Sequence, residues 1–353
     1  MLFDYLPLLI TVAICLCARP LGEWLGVMDH PDDERKTHAG PTPLVGGIAV
    51  MLPLAIWAAA EATWARSGTV GFYLSILLCG GGVAVLGFMD DQHNISAGGR
   101  LLLLIMFAAT ALRLDPVLAI DRVHFAQWGW LPTPPLMLPA LTVLALAGFS
   151  SAVNMTDGLS GLVLAFICIW SACLAFLGGP DVSAAASVIG AASVVTLLYN
   201  LGGRLFLGDC GAFAIAFAIG ILAVRCHNSG RLPLETALVW FYIPVLDCLR
   251  LIPLRLWRGR SPFRPDREHF HYRLSARLGE RWAITIYAGV VGLTSLLATL
   301  VPQLSIFGLA IASVVFSGFL LADGLASKEE QVVRPTAREG NVVALEKKLA
   351  KGP

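Results

Sequence analysis

About eleven apolar runs, most of them long enough to cross a bilayer, constrain this chain more than any motif does. They cover residues 5–18, 44–60, 71–89, 101–120, 136–153, 159–177, 182–201, 211–225, 234–256, 282–300 and 304–322. The hydrocarbon core is about 30 Å thick and a helix rises about 1.5 Å per residue, so a span needs roughly 20 residues. In lipid every backbone N–H and C=O must pair within the chain, which leaves helices or a closed barrel. The long segments of alternating polarity that a barrel requires are missing. With 57% hydrophobic and 14% charged residues and a mean hydropathy of +0.74, the chain is also more apolar than a soluble domain, typically about 45–50%. The fold class is therefore all-α: a polytopic integral membrane protein with about eleven transmembrane helices.

The net charge of +1 says little in such a protein, and no basic domain for nucleic acid is present. The placement of charge says more. If the first helix starts outside, about nineteen Lys and Arg fall on the cytoplasmic loops and tail and about five on the other side, a strong positive-inside bias. The N-terminus is expected outside, with the C-terminus and the odd-numbered loops in the cytoplasm. Residues 1–326 read as the transmembrane catalytic domain and 327–353 as a charged cytoplasmic tail, with a short helix near 342–349 or disorder as alternatives. The eight cysteines lie mostly inside apolar runs with no metal-binding spacing, and read as core residues. The prolines at 116, 132, 134, 135 and 139 predict a structured turn or re-entrant bend before the fifth helix.

The polar constellations all fall on the expected cytoplasmic side. The first loop holds Lys36 and His38, the third Asp90-Asp91, the fifth Asn154-Met155-Thr156-Asp157-Gly158, the seventh Gly208-Asp209-Cys210-Gly211, and the ninth Arg264, Arg267, His269 and His271. Two adjacent carboxylates at a helix mouth repel each other and call for a counter-charge. Carboxylates at several helix ends suit a hard divalent cation that completes its shell with phosphate oxygens. Lys36, Arg264 and Arg267 suit the phosphates themselves, and the glycines permit close backbone approach beside helix N-termini. Together these are the parts of a phosphoryl-transfer site. Each has a plainer alternative: Asp157 and Asp209 as helix N-caps, Asp90-Asp91 as a helix stop, and the Lys36 and His38 loop as a solvated topology signal.

As an ordered set spanning residues 29–273, these motifs resemble the family of polyprenyl-phosphate N-acetylhexosamine-1-phosphate transferases, membrane enzymes that start cell-envelope glycan assembly. The set includes Asp29-x-Pro31-x3-Arg35-Lys36-x-His38-x-Gly40 and Pro265-Asp266-Arg267-Glu268-His269-Phe270-His271. The resemblance implies an enzyme of the bacterial inner membrane. Undecaprenyl phosphate or a similar polyprenyl phosphate attacks the β-phosphorus of a UDP-sugar and releases UMP. It further implies Mg²⁺, with Mn²⁺ as a substitute, at Asp209. Asp90 is then the base or positioning group for the lipid phosphate, with Asp91 as its partner and Lys36 on phosphate. Asn154 and Asp157 position nucleotide or diphosphate, and His269, His271, Arg267, His38 and Arg264 contact sugar phosphate or nucleotide.

The ninth loop resembles the branch that uses UDP-N-acetylglucosamine more than the one that uses UDP-N-acetylmuramoyl-pentapeptide. Ser160, Tyr272 and Ala212 depart from common forms of these motifs and bear on sugar identity. A secondary transporter for a phosphorylated or nucleotide-linked solute and a non-catalytic scaffold are the other classes, and a homodimer is compatible with the sequence. The transporter reading lacks broken helices at mid-depth and an inverted repeat.

Overall fold

The computed structural model describes residues 2–31, 40–66, 68–132, 137–261 and 267–333. In chain order the helices are α1 (Leu2–Leu16), α2 (Ala18–Leu25), α3 (Gly46–Trp64), α4 (Val70–Leu74), α5 (Gly81–His93), α6 (Ala97–Leu114), α7 (Met137–Thr156), α8 (Leu162–Leu177), α9 (Pro180–Leu201), α10 (Gly208–Asn228), α11 (Leu234–Trp257), α12 (Phe270–Leu278), α13 (Glu280–Leu300) and α14 (Ser305–Val333). A π-helical stretch, Ser75–Gly80, joins α4 to α5, so that Val70–His93 runs as one 24-residue helix. The all-α class read from the sequence is what the chain adopts.

Among the described residues nine helices are long and apolar enough to span a membrane. A tenth passage is α1 and α2 together, which are bent by 76°, and α8 is a shorter apolar helix. These account for the eleven apolar runs, with corrected ends. The fourth run stops as a helix at Leu114 rather than at Ile120, because Asp115 caps the following turn through Val117 N at 3.3 Å and Pro116 cannot continue the helix. Of the proline-rich stretch, residues 133–136 lie outside the described residues. The rest contains an antiparallel hairpin, β3 (Arg122–Phe125) paired with β4 (Gly129–Pro132), in register Arg122↔Pro132 and Phe125↔Gly129. A second short ladder, β1 (Met28–Asp29) with β2 (Thr42–Pro43), closes the base of the first loop.

The chain divides into two compact units, Met1–Leu309 and Ala310–Pro353. Within the first, α10 is the central helix. Its apolar window is 89% buried, against 50% or less for every other span, and it packs on α3, α5, α7, α8 and α9. Its sequence explains this: small residues recur at Gly208, Gly211, Ala212, Ala214, Ala216, Ala218, Gly220 and Ala223, and small residues let helix backbones approach closely in lipid. A Cβ added at Gly47 of α3 would lie 2.2 Å from Gly211 N, and one at Gly87 of α5 would lie 2.4 Å from Asp209 O. Two neighbouring helices thus cross the first turn of α10 at backbone contact.

The first N–H groups of α3 are satisfied by the loop before α10, with Gly46 N and Gly47 N both donating at 2.9 Å, to Phe206 O and Leu207 O respectively. At the other end of α10, Arg225 is ion-paired with buried Asp115. There Glu235 accepts from Ala126 N at 2.7 Å and so docks the hairpin. On the flank, buried Trp170 and Trp240 join α8, α11 and α13: Trp170 Nε1 donates to Trp240 O at 3.1 Å, and Trp240 Nε1 to Ser295 O at 3.2 Å.

Gly47→Ala tests the close crossing. Forcing a methyl into backbone contact should destabilise the protein by about 1–3 kcal/mol or more. Gly289→Ala, at an exposed α13 position with nothing within 4 Å of the added carbon, should be neutral or slightly stabilising by up to about 1 kcal/mol. Thermal unfolding in detergent compares the two; equal melting temperatures would contradict the packing described.

Candidate active site

The site forms where α5, α7 and α10 meet. Asp90 and Asp91 lie in the last turn of α5, which ends at Asn94 in the left-handed region, φ 51°, a conformation Asn tolerates. The two carboxylates diverge. Asp90 is buried; its Oδ1 accepts from Ile95 N at 2.7 Å and its Oδ2 is ion-paired with Arg100 of α6. Asp91 reaches across to α10 instead. Its Oδ1 accepts from Asp209 N at 2.9 Å and its Oδ2 from Cys210 N at 3.1 Å. The first N–H groups of a helix have no partner within it, and an acceptor from elsewhere must satisfy them when they are buried. Asp91 is that acceptor, placed where the helix dipole also favours negative charge. Gly208, at φ +71°, makes the fit possible, since a Cβ there would lie 2.8 Å from Asp91 Oδ2.

Asp209 faces the same space. Asn154 Nδ2, near the end of α7, donates to its Oδ1 at 2.6 Å, and Arg100 Nη1 stands 3.7 Å from its Oδ2. Arg100 therefore bridges Asp90 and Asp209. Sequence reasoning gave Arg100 no site role. Its signal was a cation in the first turn of a helix, where the dipole disfavours it unless carboxylates are near.

Beyond α7 the chain makes a tight turn, with Gly158 N bonded to Thr156 O at 2.8 Å. Burial, and then the charge of Asp91, raise the Asp157 carboxyl to about 7.

A second cluster lies against this turn. His269, His271 and Tyr272 open α12, and a Cβ on Gly158 would meet His271 Nε2 at 2.2 Å and Tyr272 Oη at 2.6 Å. His271 is buried and its Nε2 has no hydrogen-bond partner; burial, and then the charge of His269, lower its pKa to about 3, so the ring is neutral. His269 is held by the protein on both nitrogens: Nδ1 lies 2.9 Å from Asp247 Oδ2 and Nε2 lies 3.4 Å from Arg255 Nη2. Arg267 is exposed, with its guanidinium 6.0 Å from the Tyr272 ring centroid. Lys36, His38 and Arg264 lie outside the described residues. Beside the Asp157 turn is a cavity of about 520 Å³ bordered by Ser160, Asn200, Gly203, Glu280 and Trp282; the buried Asn200 Oδ1 has no partner.

Of the expected set, Asp90, Asp91, Asn154 and Asp209 are thus joined through Arg100 and the α10 N-terminus. Asp157 and His271 meet that group at the Gly158 turn, and His269 stands behind His271. Missed besides Arg100 were Asp247 and Arg250. The signal for both was ionisable residues inside an apolar run, which membrane energetics rarely tolerate without a purpose.

As for a cation, the donors are of the hard oxygen type, but Asp90 and Asp91 already spend their oxygens on Arg100 and on backbone N–H groups. Among the described residues no three His, Cys, Asp or Glu side chains are arranged to hold a metal by themselves. The Asp209 carboxylate suits a metal of the Mg²⁺ kind, which commonly takes one or two carboxylates and fills its shell with water and substrate phosphate.

Fold and site together define a polytopic α-helical membrane protein with a cluster of carboxylates where α5, α7 and α10 meet. Residues 73–227 match the sequence model of glycosyl transferase family 4. Similar proteins include an undecaprenyl-phosphate alpha-N-acetylglucosaminyl 1-phosphate transferase of Yersinia pestis, 26% identical over 89% of both chains. The enzyme of the same name from Salmonella typhi is 29% identical over 84% of this chain and 83% of its own. A probable undecaprenyl-phosphate N-acetylglucosaminyl 1-phosphate transferase of Bacillus subtilis is 27% identical over 71% of this chain and 70% of its own.

Two outcomes follow. Gly158→Ala should displace His271 or the Asp157 turn and lower turnover by on the order of tenfold or more, since small misplacements at a reacting centre are costly, with folding retained; unchanged turnover would sink the contact. The raised Asp157 carboxyl means that the folded protein binds this proton more tightly than the unfolded chain. The stabilisation is complete below about pH 4 and is lost as pH rises through about 7. Without divalent cations, stability should fall over that window by up to about 1.4 kcal/mol per pH unit. Asp157→Asn should remove that part of the slope in thermal melts, and identical slopes would show that Asp157 is ionised throughout.

Proposed function

We propose that this protein transfers a sugar 1-phosphate, with N-acetylglucosamine 1-phosphate favoured, from a UDP-sugar to undecaprenyl phosphate. The products are a polyprenyl-diphosphate-sugar and UMP, and the step initiates assembly of a cell-envelope glycan such as an O-antigen, exopolysaccharide or teichoic-acid type polymer. One observation carries the reading: Asp91, Asp209, Asn154, Arg100 and Asp90, drawn from four helices, are bonded to one another at the mouth of a membrane bundle. The named activities of the similar proteins support it.

The chemistry joins two anions, so neutralising charge matters more than removing a proton. The second pKa of a phosphate monoester lies near 6, and the lipid phosphate is largely dianionic at pH 7. Mg²⁺, held through Asp209, would offset charge on the diphosphate and on the departing UMP. Asp91 keeps the α10 N-terminus in place and Asp209 turned toward the cleft. Arg100 restrains Asp90 and Asp209 and adds positive charge. The neutral His271 can hydrogen-bond a phosphate or sugar oxygen through Nε2. The cavity beside Ser160 suits the nucleoside, with Asn200 Oδ1 accepting an N–H of the base. Lys36, His38, Arg264 and Arg267 are assigned to phosphate and nucleotide on chemistry alone. The positive-inside bias supports a cytoplasmic site and C-terminus with the N-terminus outside, where UDP-sugars are met on the side on which they are made.

One anhydride replaces another, so the reaction should be readily reversible. Purified protein with Mg²⁺, undecaprenyl phosphate and a panel of labelled UDP-sugars should form the lipid product and release UMP, and UMP should drive exchange back. Asp209→Asn should lower the rate by roughly 10²–10³-fold, the scale for losing one electrostatic stabiliser, and EDTA should stop it. Near-normal turnover in Asp209→Asn would displace the site. Uptake of nucleotide into vesicles without lipid product would favour a transporter.

A further inference from the structure

Asp247 has no part in the site as read from sequence, yet both of its oxygens are engaged in the second cluster. It sits 2% exposed on α11, in a largely apolar run that also carries Arg250 and Arg255. Its Oδ1 accepts from Arg250 Nη2 at 2.7 Å. Its Oδ2 lies 2.9 Å from His269 Nδ1 and accepts from Phe270 N at 3.0 Å. Arg250 Nη2 also donates to Glu268 O at 2.9 Å. A carboxylate buried among donors is an acceptor only, so His269 Nδ1 carries the proton. Nε2 lies 3.4 Å from a guanidinium nitrogen of Arg255. Both nitrogens of His269 are spent, and its ring stacks on His271 at 5.6 Å with an interplanar angle of 17°.

The same carboxylate caps α12. Phe270 is the first residue of that helix, and the side chain of its N-cap residue, His269, makes no capping bond. The acceptor for a buried helix N-terminus again comes from another helix, as Asp91 does for α10. His271 follows one residue later, with Nε2 unpartnered and aimed at the Gly158 turn.

We infer that Asp247 is a positioning residue of the transfer site: by holding His269 and the first turn of α12 it sets where His271 stands against Asp157-Gly158. His269 is its strut, and His271 is the histidine that meets substrate. This rests on the transferase reading for its kinetic consequence, but the mechanical claim stands on the contacts alone.

Asp247→Asn leaves a single oxygen, so its NH2 must face either Arg250 or the His269 Nδ1 and Phe270 N that share Oδ2, and in both cases a donor meets a donor. It should lower kcat by on the order of 10–100-fold, as loss of a carboxylate behind a functional histidine commonly does, while KM for polyprenyl phosphate changes little. Asp247→Glu should recover part of the loss. Because Asp247 acts through His271, Asp247→Asn with His271→Asn should be no worse than His271→Asn alone, within about twofold. Full kcat in folded Asp247→Asn, or multiplicative losses in the double variant, would overturn the inference. If Asp247→Asn fails to fold, Asp247→Glu enters the same cycle.

Hydrogen exchange gives a readout independent of turnover. Relative to wild type, the variant should exchange faster in both 268–274 and 154–161, with α3 and α10 unchanged. A change confined to 268–274 would mean that Asp247 caps α12 without positioning His271 on the turn. Wild-type protein that transfers no sugar phosphate, together with paired faster exchange in Asp247→Asn, would count against the proposed function and leave the positioning role supported.

Discussion

The buried N-terminus of α10 is the constraint on which the rest of the site depends. A helix that starts inside a packed bundle exposes unpaired N–H groups where water cannot reach them, and each costs on the order of 1–3 kcal/mol if left so. Asp91 supplies both oxygens to Asp209 N and Cys210 N. That can happen only if α5 runs at backbone contact past the first turn of α10, which is why Gly87 and Gly208 stand where they do. Stability and site geometry are one problem here. The glycines and the carboxylate that let α10 begin in the core also turn Asp209 toward the cleft.

A second consequence is electrostatic. Asp90, Asp91 and Asp209 gather where α5 meets α10, and burial of Asp157 beyond the end of α7 disfavours its charged form. Arg100 offsets part of this through Asp90 and Asp209, and the raised Asp157 carboxyl shows that the balance is incomplete. Such a cleft is suited to a ligand that arrives with cations and carries its own phosphate oxygens.

Two helix N-termini, of α10 and α12, are capped by carboxylates from other helices, Asp91 and Asp247. The two caps place the two halves of the site, which touch at Gly158. Asp91 thereby differs from the role that the sequence suggested. Next to Asp90 it reads as half of a pair of like function. In the fold the two point apart, one to Arg100 and one to α10, because neighbouring residues on a helix diverge by about 100°. His269 and His271, two residues apart, divide in the same manner: one is enclosed between Asp247 and Arg255, and the other reaches the turn.

The sequence by itself determined the all-α class, the helix count and the polar motifs from which the candidate site is drawn. Apolar length and local polarity carry that information, and lipid permits few alternatives. It also carried the family resemblance, since the motifs keep their order. The bend between α1 and α2 and the hairpin at Arg122–Pro132 were not legible, because both depend on what the segment packs against rather than on its own periodicity. Nor were Arg100, Asp247 and the separate duties of Asp90 and Asp91 legible. A carboxylate's role is set by which donors come within about 3 Å of it, and those donors lie 118 residues away for Asp91 and 22 for Asp247. Only helix crossing at Gly47, Gly87 and Gly211 decides that distance.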